Sequence, residues 1–282
     1  MRARARLAAA IALAAARVAA GADPGPPTAP APEAPAAAGP AADACAAEAA
    51  PDAASIARRA EWVLRGEGSE LEATLEIARE GRSPRTIPFR LWDDALGDRV
   101  LLRVLPPAAV AGAAWLKLSP VLWSYEPKEG AVQRIPRAHW GDPWLDGELS
   151  LDDVLRGSGV RDYSQALLRL EERETLEGPV RAWVIESTPR DPTTVPWARL
   201  VDWIDCPHAT LVRREHYDAK NELVRTLELG DVREVAGRRY PHRWVMTAAD
   251  PARASRIEVG AVRFTTEFPP GTFTTRSLQP KE

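Results

Sequence analysis

The sequence predicts a mainly β protein of the α+β class, built as one strongly curved antiparallel sheet. Three observations lead there. Short runs with period-two alternation recur from residue 72 to residue 264, Gly, Pro and charged residues interrupt them at close spacing, and the alternation of strands with helices that marks a parallel sheet is missing. Of 282 residues, 45% are hydrophobic, but much of that is Ala in the first 54; the ten Trp lie beyond it, where a sizeable core can form.

The N-terminal part reads as a leader and a tether. Arg2, Arg4 and Arg6 precede a short apolar run at 7–16, and Ala20, Gly21 and Ala22 supply small residues for cleavage, so residues 1–22 are expected to be an export signal peptide and the mature protein periplasmic. The run is too short, and is closed too early by Arg17, to span a bilayer core of about 30 Å. Residues 23–54 hold 15 Ala and 8 Pro and no larger aliphatic or aromatic side chain, the composition of a disordered linker. The folded domain is expected at 55–279.

The two cysteines, Cys45 and Cys206, lie far apart in sequence. Cys45 sits well past the apolar run, out of place for a lipid anchor. In an exported chain the pair can oxidise, closing a loop of about 160 residues. A tether cysteine has little reason to be positioned for that, and the sequence leaves the question open. Metal binding by the pair is weaker still.

From residue 55 the elements follow in order. Ser55 is the expected N-cap of a helix of about ten residues, with Ile56, Trp62 and Val63 in its pattern and Gly66 as its stop. Residues 72–79 and 86–92 alternate around a turn at Glu80, Gly81 and Arg82, a hairpin signature. Strands follow at 99–105, 114–118, 121–125 and 132–135. Residues 139–164 break the rhythm, with Trp140, Trp144 and a short helix at 149–155 whose early turn carries Asp152 and Asp153. Strands resume at 167–171, 181–187, 199–204, 211–217, 223–229, 239–246 and 256–264, thirteen runs that are expected to make about eleven consecutive strands.

Charge and motifs exclude several classes of function. Lys plus Arg number 37 and Asp plus Glu 40, a net charge of −3, which offers no cationic face for nucleic acid. His139, His208, His216 and His242 form no zinc-ligand pair, and His208 and His216 read as surface residues of a hairpin. Gly157, Ser158 and Gly159 lack the strand a nucleophile elbow needs and read as a flexible loop. Asp152 and Asp153 suit a helix N-terminus without any catalysis. No enzyme, cofactor or metal site is expected.

Several short segments, in order, resemble one family. Residues 104–116, with Pro106, Gly112, Trp115 and Leu116, are similar to a Pro–Gly–aromatic–Leu segment of the LolA-like outer-membrane lipoprotein-sorting proteins. Trp123, Tyr125 and Pro127, followed by Gly130 and Arg134, resemble its Trp-x-Tyr-x-Pro hairpin. Residues 203–205, 215–218 and 223–226, Gly237 with Tyr240 and Pro241, and residues 273–278 extend the likeness over the whole folded region. Residues 145–149 depart from the Met-Gly-Ser-Asp-aromatic run of that family, and Cys206 with Pro207 is unusual after Trp203.

The resemblance implies an open, incomplete β-barrel with helices covering its concave face. It implies a non-catalytic periplasmic carrier that holds the acyl chains of a lipid or lipid-modified protein in an apolar cleft. Such a carrier would move its cargo from an inner-membrane exporter of the resistance-nodulation type to the outer envelope, as a monomer in transient contact with the membrane surface. The alternative is an envelope module that binds through its surface. Alternation groups Leu75 with Ile77, Phe89 with Leu91, Leu102 with Val104, Trp123 with Tyr125, and Val201 with Trp203. With Leu116, these faces are expected to converge on the cleft, an inward direction that rests partly on the resemblance.

Overall fold

The computed structural model describes residue 45 and residues 52–94, 97–155, 157–206, 208–250 and 252–280. The expected signal peptide and nearly all of the linker lie outside the described residues. Helix α1 (Ala53–Arg65) comes first. The strands are β1 (Gly68–Arg79), β2 (Arg85–Asp94), β3 (Arg99–Val104), β4 (Ala114–Leu118), β5 (Val121–Glu126) and β6 (Ala131–Ile135). After the short helix α2 (Leu151–Val154) come β7 (Tyr163–Thr175), β8 (Gly178–Pro189), β9 (Arg199–Asp205), β10 (Leu211–Tyr217), β11 (Leu223–Val235), β12 (Arg238–Ala248) and β13 (Arg253–Phe264).

All thirteen join one antiparallel sheet in the order β6-β5-β4-β3-β2-β1-β13-β12-β11-β10-β9-β8-β7. The expectation of about eleven strands is thus corrected to thirteen, and every alternating run singled out above is a strand. Two meanders meet where β1 pairs with β13, Leu75 opposite Ile257. β6 and β7 form the two free edges, so the sheet curls without closing. No helix among the described residues is long and apolar enough to cross a membrane.

This topology imposes a long crossover. β6 and β7 are consecutive in sequence but stand at opposite edges, so residues 136–162 must travel the full width of the sheet. They bury Trp140, Trp144, Leu149 and Leu155 against Leu75, Phe89, Leu102 and Trp115 of the first meander. The Trp144 ring meets Phe89 and Trp115 edge-on, with centroids 5.5 and 5.7 Å away, the geometry aromatic quadrupoles favour. The run that interrupts the strand rhythm is the plug of the concave face.

Helix α1 covers the second meander. Ile56, Ala60 and Val63, spaced for one helical face, pack on Trp183, Ile185, Ile204, Leu211 and Leu229. Asp52, not Ser55, is the N-cap: its carboxylate accepts from the Ser55 N–H at 3.0 Å, and the helix begins at Ala53, inside the expected linker. Gly66 ends it at φ +62, where a Cβ would stand 2.9 Å from Phe264. Cys45 and Cys206 form a disulfide, with Cα atoms 6.0 Å apart, that ties the chain before α1 to the turn after β9. That bond accounts for the unusual cysteine after Trp203.

Two smaller clusters lie on the opposite, convex face. Leu278 of the C-terminal turn packs on Leu101, Ala114, Leu116 and Tyr125, and Arg103 donates to the Ser277 and Leu278 carbonyls. At the other end Val184, Val201, Trp203 and Val212 cluster, with the Arg173 guanidinium 4.7 Å from the Trp203 ring centroid.

Candidate ligand-binding cavity

Between α1, the crossover and the second meander a cavity of about 120 Å³ remains. Ala57, Ala60 and Leu64 of α1 face Leu211, Leu227, Leu229, Trp244 and Ile257 across it, making an apolar wall. The other wall is polar, formed by Asp152, Asp153 and Ser158 of the crossover with Tyr163, Trp197, Asp202, Arg214 and His216. Leu149 and Ile257 belong both to the cavity lining and to the filled cluster, so the open and packed parts of the concave face adjoin.

The polar wall is a set of matched charges. Arg214 grips Asp202 with two hydrogen bonds, Nε to Oδ1 at 2.6 Å and Nη2 to Oδ2 at 2.7 Å. Burial opposes the Arg214 cation, and the adjacent carboxylate more than offsets that, raising its pKa. Arg225 of β11 donates to Asp153 at 2.8 Å and stacks 4.2 Å from the Trp197 ring centroid. Asp153 also closes the capping box of α2, accepting from the Ser150 N–H at 2.7 Å. On α1, Arg65 pairs with Glu61 at 3.5 Å.

Asp152 stands apart. Ser158 Oγ lies 2.9 and 2.8 Å from its two oxygens, yet no described cation comes within ion-pair distance. Burial, then the neighbouring Asp153 charge, raises its pKa to about 6. Gly157 permits this approach, because a Cβ there would collide with the Asp152 carboxylate and lie 2.8 Å from Trp140. Nearby on the concave face, burial and then Arg65 lower the Lys117 pKa to about 7, against the pull of Asp93 and Asp152.

His216 is 2% exposed, which corrects its reading as a surface residue; His208 is exposed as expected. Burial foremost, then the Arg225 and Arg214 guanidiniums, depress its pKa well below 6.5 and keep the ring neutral. Its Nε2 lies 3.7 Å from Asp153 Oδ1, and the ring meets Trp197 edge-on at 5.1 Å. His216 Nδ1, Trp197 Nε1 and the Tyr163 hydroxyl are all buried without a hydrogen bond of acceptable geometry. No described hydroxyl hydrogen-bonds to His216, so the nucleophile–base contact of covalent catalysis is not made among the described residues. No group of three or more His, Cys, Asp or Glu among the described residues is placed to hold a metal ion.

The eleven residues expected in the cleft divide. Leu75, Ile77, Phe89, Leu91, Leu102 and Val104 share the concave face in one cluster, each at most 3% exposed, beneath the crossover. Leu116, Trp123 and Tyr125 lie on the convex face under the C-terminal turn. So do Val201 and Trp203 at the far end, where Trp203 Nε1 donates to Glu171 at 2.6 Å. None of the eleven lines the cavity.

The reason for the reversal is physical. Trp115 and Lys117 face inward on β4, and Leu200, Asp202 and Ile204 on β9, so buried charges occupy the parity that ordinarily marks the solvent side. Ser158, read as part of a flexible loop, and Asp152, read as a dipole-serving acid, are wall residues. Trp197, Asp202 and Arg214 were missed altogether; the charges at Asp202 and Arg214, each within an otherwise strand-like run, were the available signal.

An open, curled antiparallel sheet with a helix and a crossover on its concave face is the LolA-like fold. The whole of a LolA superfamily protein from Nitrosomonas europaea superposes on 81% of this chain with a TM-score of 0.69 at 19% identity. A DUF1329 family protein from Desulfovibrio piger gives 0.71 at 22% identity, covering 80% of this chain and 98% of its own. A domain described as an outer membrane lipoprotein-sorting protein, from Vibrio parahaemolyticus, gives 0.68 at 21%, covering 80% and 97%. The chain belongs to a family described only as uncharacterized protein, whose model matches residues 97–280. No curated protein matches it in sequence.

Proposed function

We propose that this protein binds the acyl chains of a lipid or lipid-modified protein in the cavity under α1 and carries them through the periplasm. The observation that carries this reading is the contrast across the concave face: the first meander is packed solid by the crossover, while the second leaves a cavity with an apolar wall under a helix. Each methylene moved from water into such a site contributes about 0.8 kcal/mol. A cavity of about 120 Å³ is smaller than the roughly 300–1,000 Å³ of ligand pockets, so loading requires α1 to shift off the sheet. The disulfide supports an oxidising compartment, as does the expected export signal.

In this reading the folded unit at 55–279 works without catalysis, as a monomer. It would receive cargo from a resistance-nodulation-type exporter, touch membrane surfaces briefly, and release cargo to a tighter acceptor. A second reading, an envelope module acting through its surface, is favoured by the completeness of the Trp144 plug. Titration with a fluorescent fatty-acyl probe, with mass analysis of lipids retained on purification, separates them. Saturable binding of one probe per chain supports the carrier; no binding and no retained lipid leaves the surface module.

A further inference from the structure

The polar wall of the cavity carries its own specification. The two guanidiniums that line it are committed, Arg214 to Asp202 and Arg65 to Glu61, and Arg225, outside the lining, is paired with Asp153. Trp197 Nε1, the Tyr163 hydroxyl and His216 Nδ1 make no hydrogen bond of good geometry in the wall; the indole N–H and the phenol are donors, the phenol with Ser158 beside it. Buried donors without acceptors cost free energy that an arriving acceptor can recover. The remaining charge is Asp152, with no described cation in contact.

We infer that this wall receives the head of the carried molecule and selects an uncharged, acceptor-bearing head, an ester or amide carbonyl, over a free carboxylate or phosphate. The inference rests on the carrier reading and deepens it. A carbonyl oxygen accepts from Trp197 and Tyr163 at little desolvation cost. A carboxylate loses its water, finds both lining guanidiniums already paired and lies on the same wall as the Asp152 anion, a like-charge contact in a weakly screening site. The wall therefore discriminates by withholding a counter-ion as much as by offering donors.

Monododecanoylglycerol and dodecanoate present the same chain with a neutral ester and an anionic head. Each is titrated at about pH 8, where the free acid is ionised, against a bound fluorescent acyl probe. The neutral ester is expected to displace the probe about tenfold or more tightly. Tyr163→Phe and Trp197→Phe each remove one donor and keep a ring; each is expected to weaken the ester about three- to tenfold. Asp152→Asn is expected to strengthen dodecanoate selectively. Equal or tighter binding of dodecanoate by the unaltered protein overturns the inference and leaves the carrier standing. Folded donor variants with unchanged ester affinity also overturn it. Failure of the probe and both ligands to bind overturns the carrier reading and the inference together.

Discussion

Trp144 of the crossover stands edge-on to Phe89 of β2 with ring centroids 5.5 Å apart, and both side chains are 2% exposed. The contact joins a connection to the strand it must pass and fills the space an open barrel would otherwise offer to a ligand. The first meander is therefore core, and the cavity lies over the second, where α1 and the crossover together cover the sheet.

A charge in that core is accordingly expected to unfold the protein. Phe89→Asp or Leu102→Asp buries a carboxylate among Trp144, Trp115 and Leu75, at a cost of several kcal/mol. Phe89→Ala, which leaves a void alone, is expected to lose about 3–5 kcal/mol. Urea unfolding followed by circular dichroism checks both; a folded Asp variant of near-normal midpoint would show that this half of the face is open to solvent.

The disulfide spans 161 residues of sequence, and the chain-entropy argument assigns such a loop about 5 kcal/mol. Cys45→Ser, Cys206→Ser and the double variant are each expected to lower the urea midpoint by the same amount. Additive losses would mean that the thiols contribute through packing and not through the bond.

Arg214→Ala is expected to cost about 3–5 kcal/mol by leaving Asp202 buried and unpaired. Replacing the pair together, Arg214→Met with Asp202→Leu, is expected to recover most of that. A double-mutant cycle in denaturant measures the coupling; a coupling near zero would mean that solvent reaches the pair.

Asp152 makes stability depend on pH in a particular direction. Its folded pKa of about 6 lies above the 3.8 of an unperturbed carboxyl, so the native state holds the proton more tightly than the unfolded chain. Its ionisation therefore costs stability, nothing below about pH 3.8 and increasing to about 3 kcal/mol above about pH 6. Asp152→Asn is expected to gain on the unaltered protein as pH rises from about 4 to about 7, the Ser158 contact and the Asp153 charge being common to both measurements. A constant difference between the two stability curves would place the pKa at its ordinary value.

The strands were legible in the sequence because alternation and turn residues act locally: the run at 72–79 with its turn at Gly81 specifies a hairpin wherever it lies. The direction each strand faces was less so. Leu75, Phe89 and Leu102 share the cluster that the crossover covers, whereas Leu116, Trp123, Tyr125, Val201 and Trp203 belong to the clusters of the other face. There the concave face buries Lys117 and Asp202, and residues 273–278 shelter an apolar patch on the convex face. The role of Trp144 depends on sheet order, which no short stretch encodes. Pairing of Cys45 with Cys206 likewise follows from where α1 lies and not from spacing.

The central claim, that acyl chains occupy the space under α1, is tested most directly by filling that space. Ala60 lines the cavity opposite Leu229 and Trp244, and Ala60→Phe projects a ring into it. Fluorescent acyl-probe titrations of the unaltered and Ala60→Phe proteins, each first shown folded by circular dichroism, decide the matter. The expected result is saturable binding of one probe per chain, weakened at least about tenfold by the substitution. Unchanged affinity in a folded Ala60→Phe protein would contradict it.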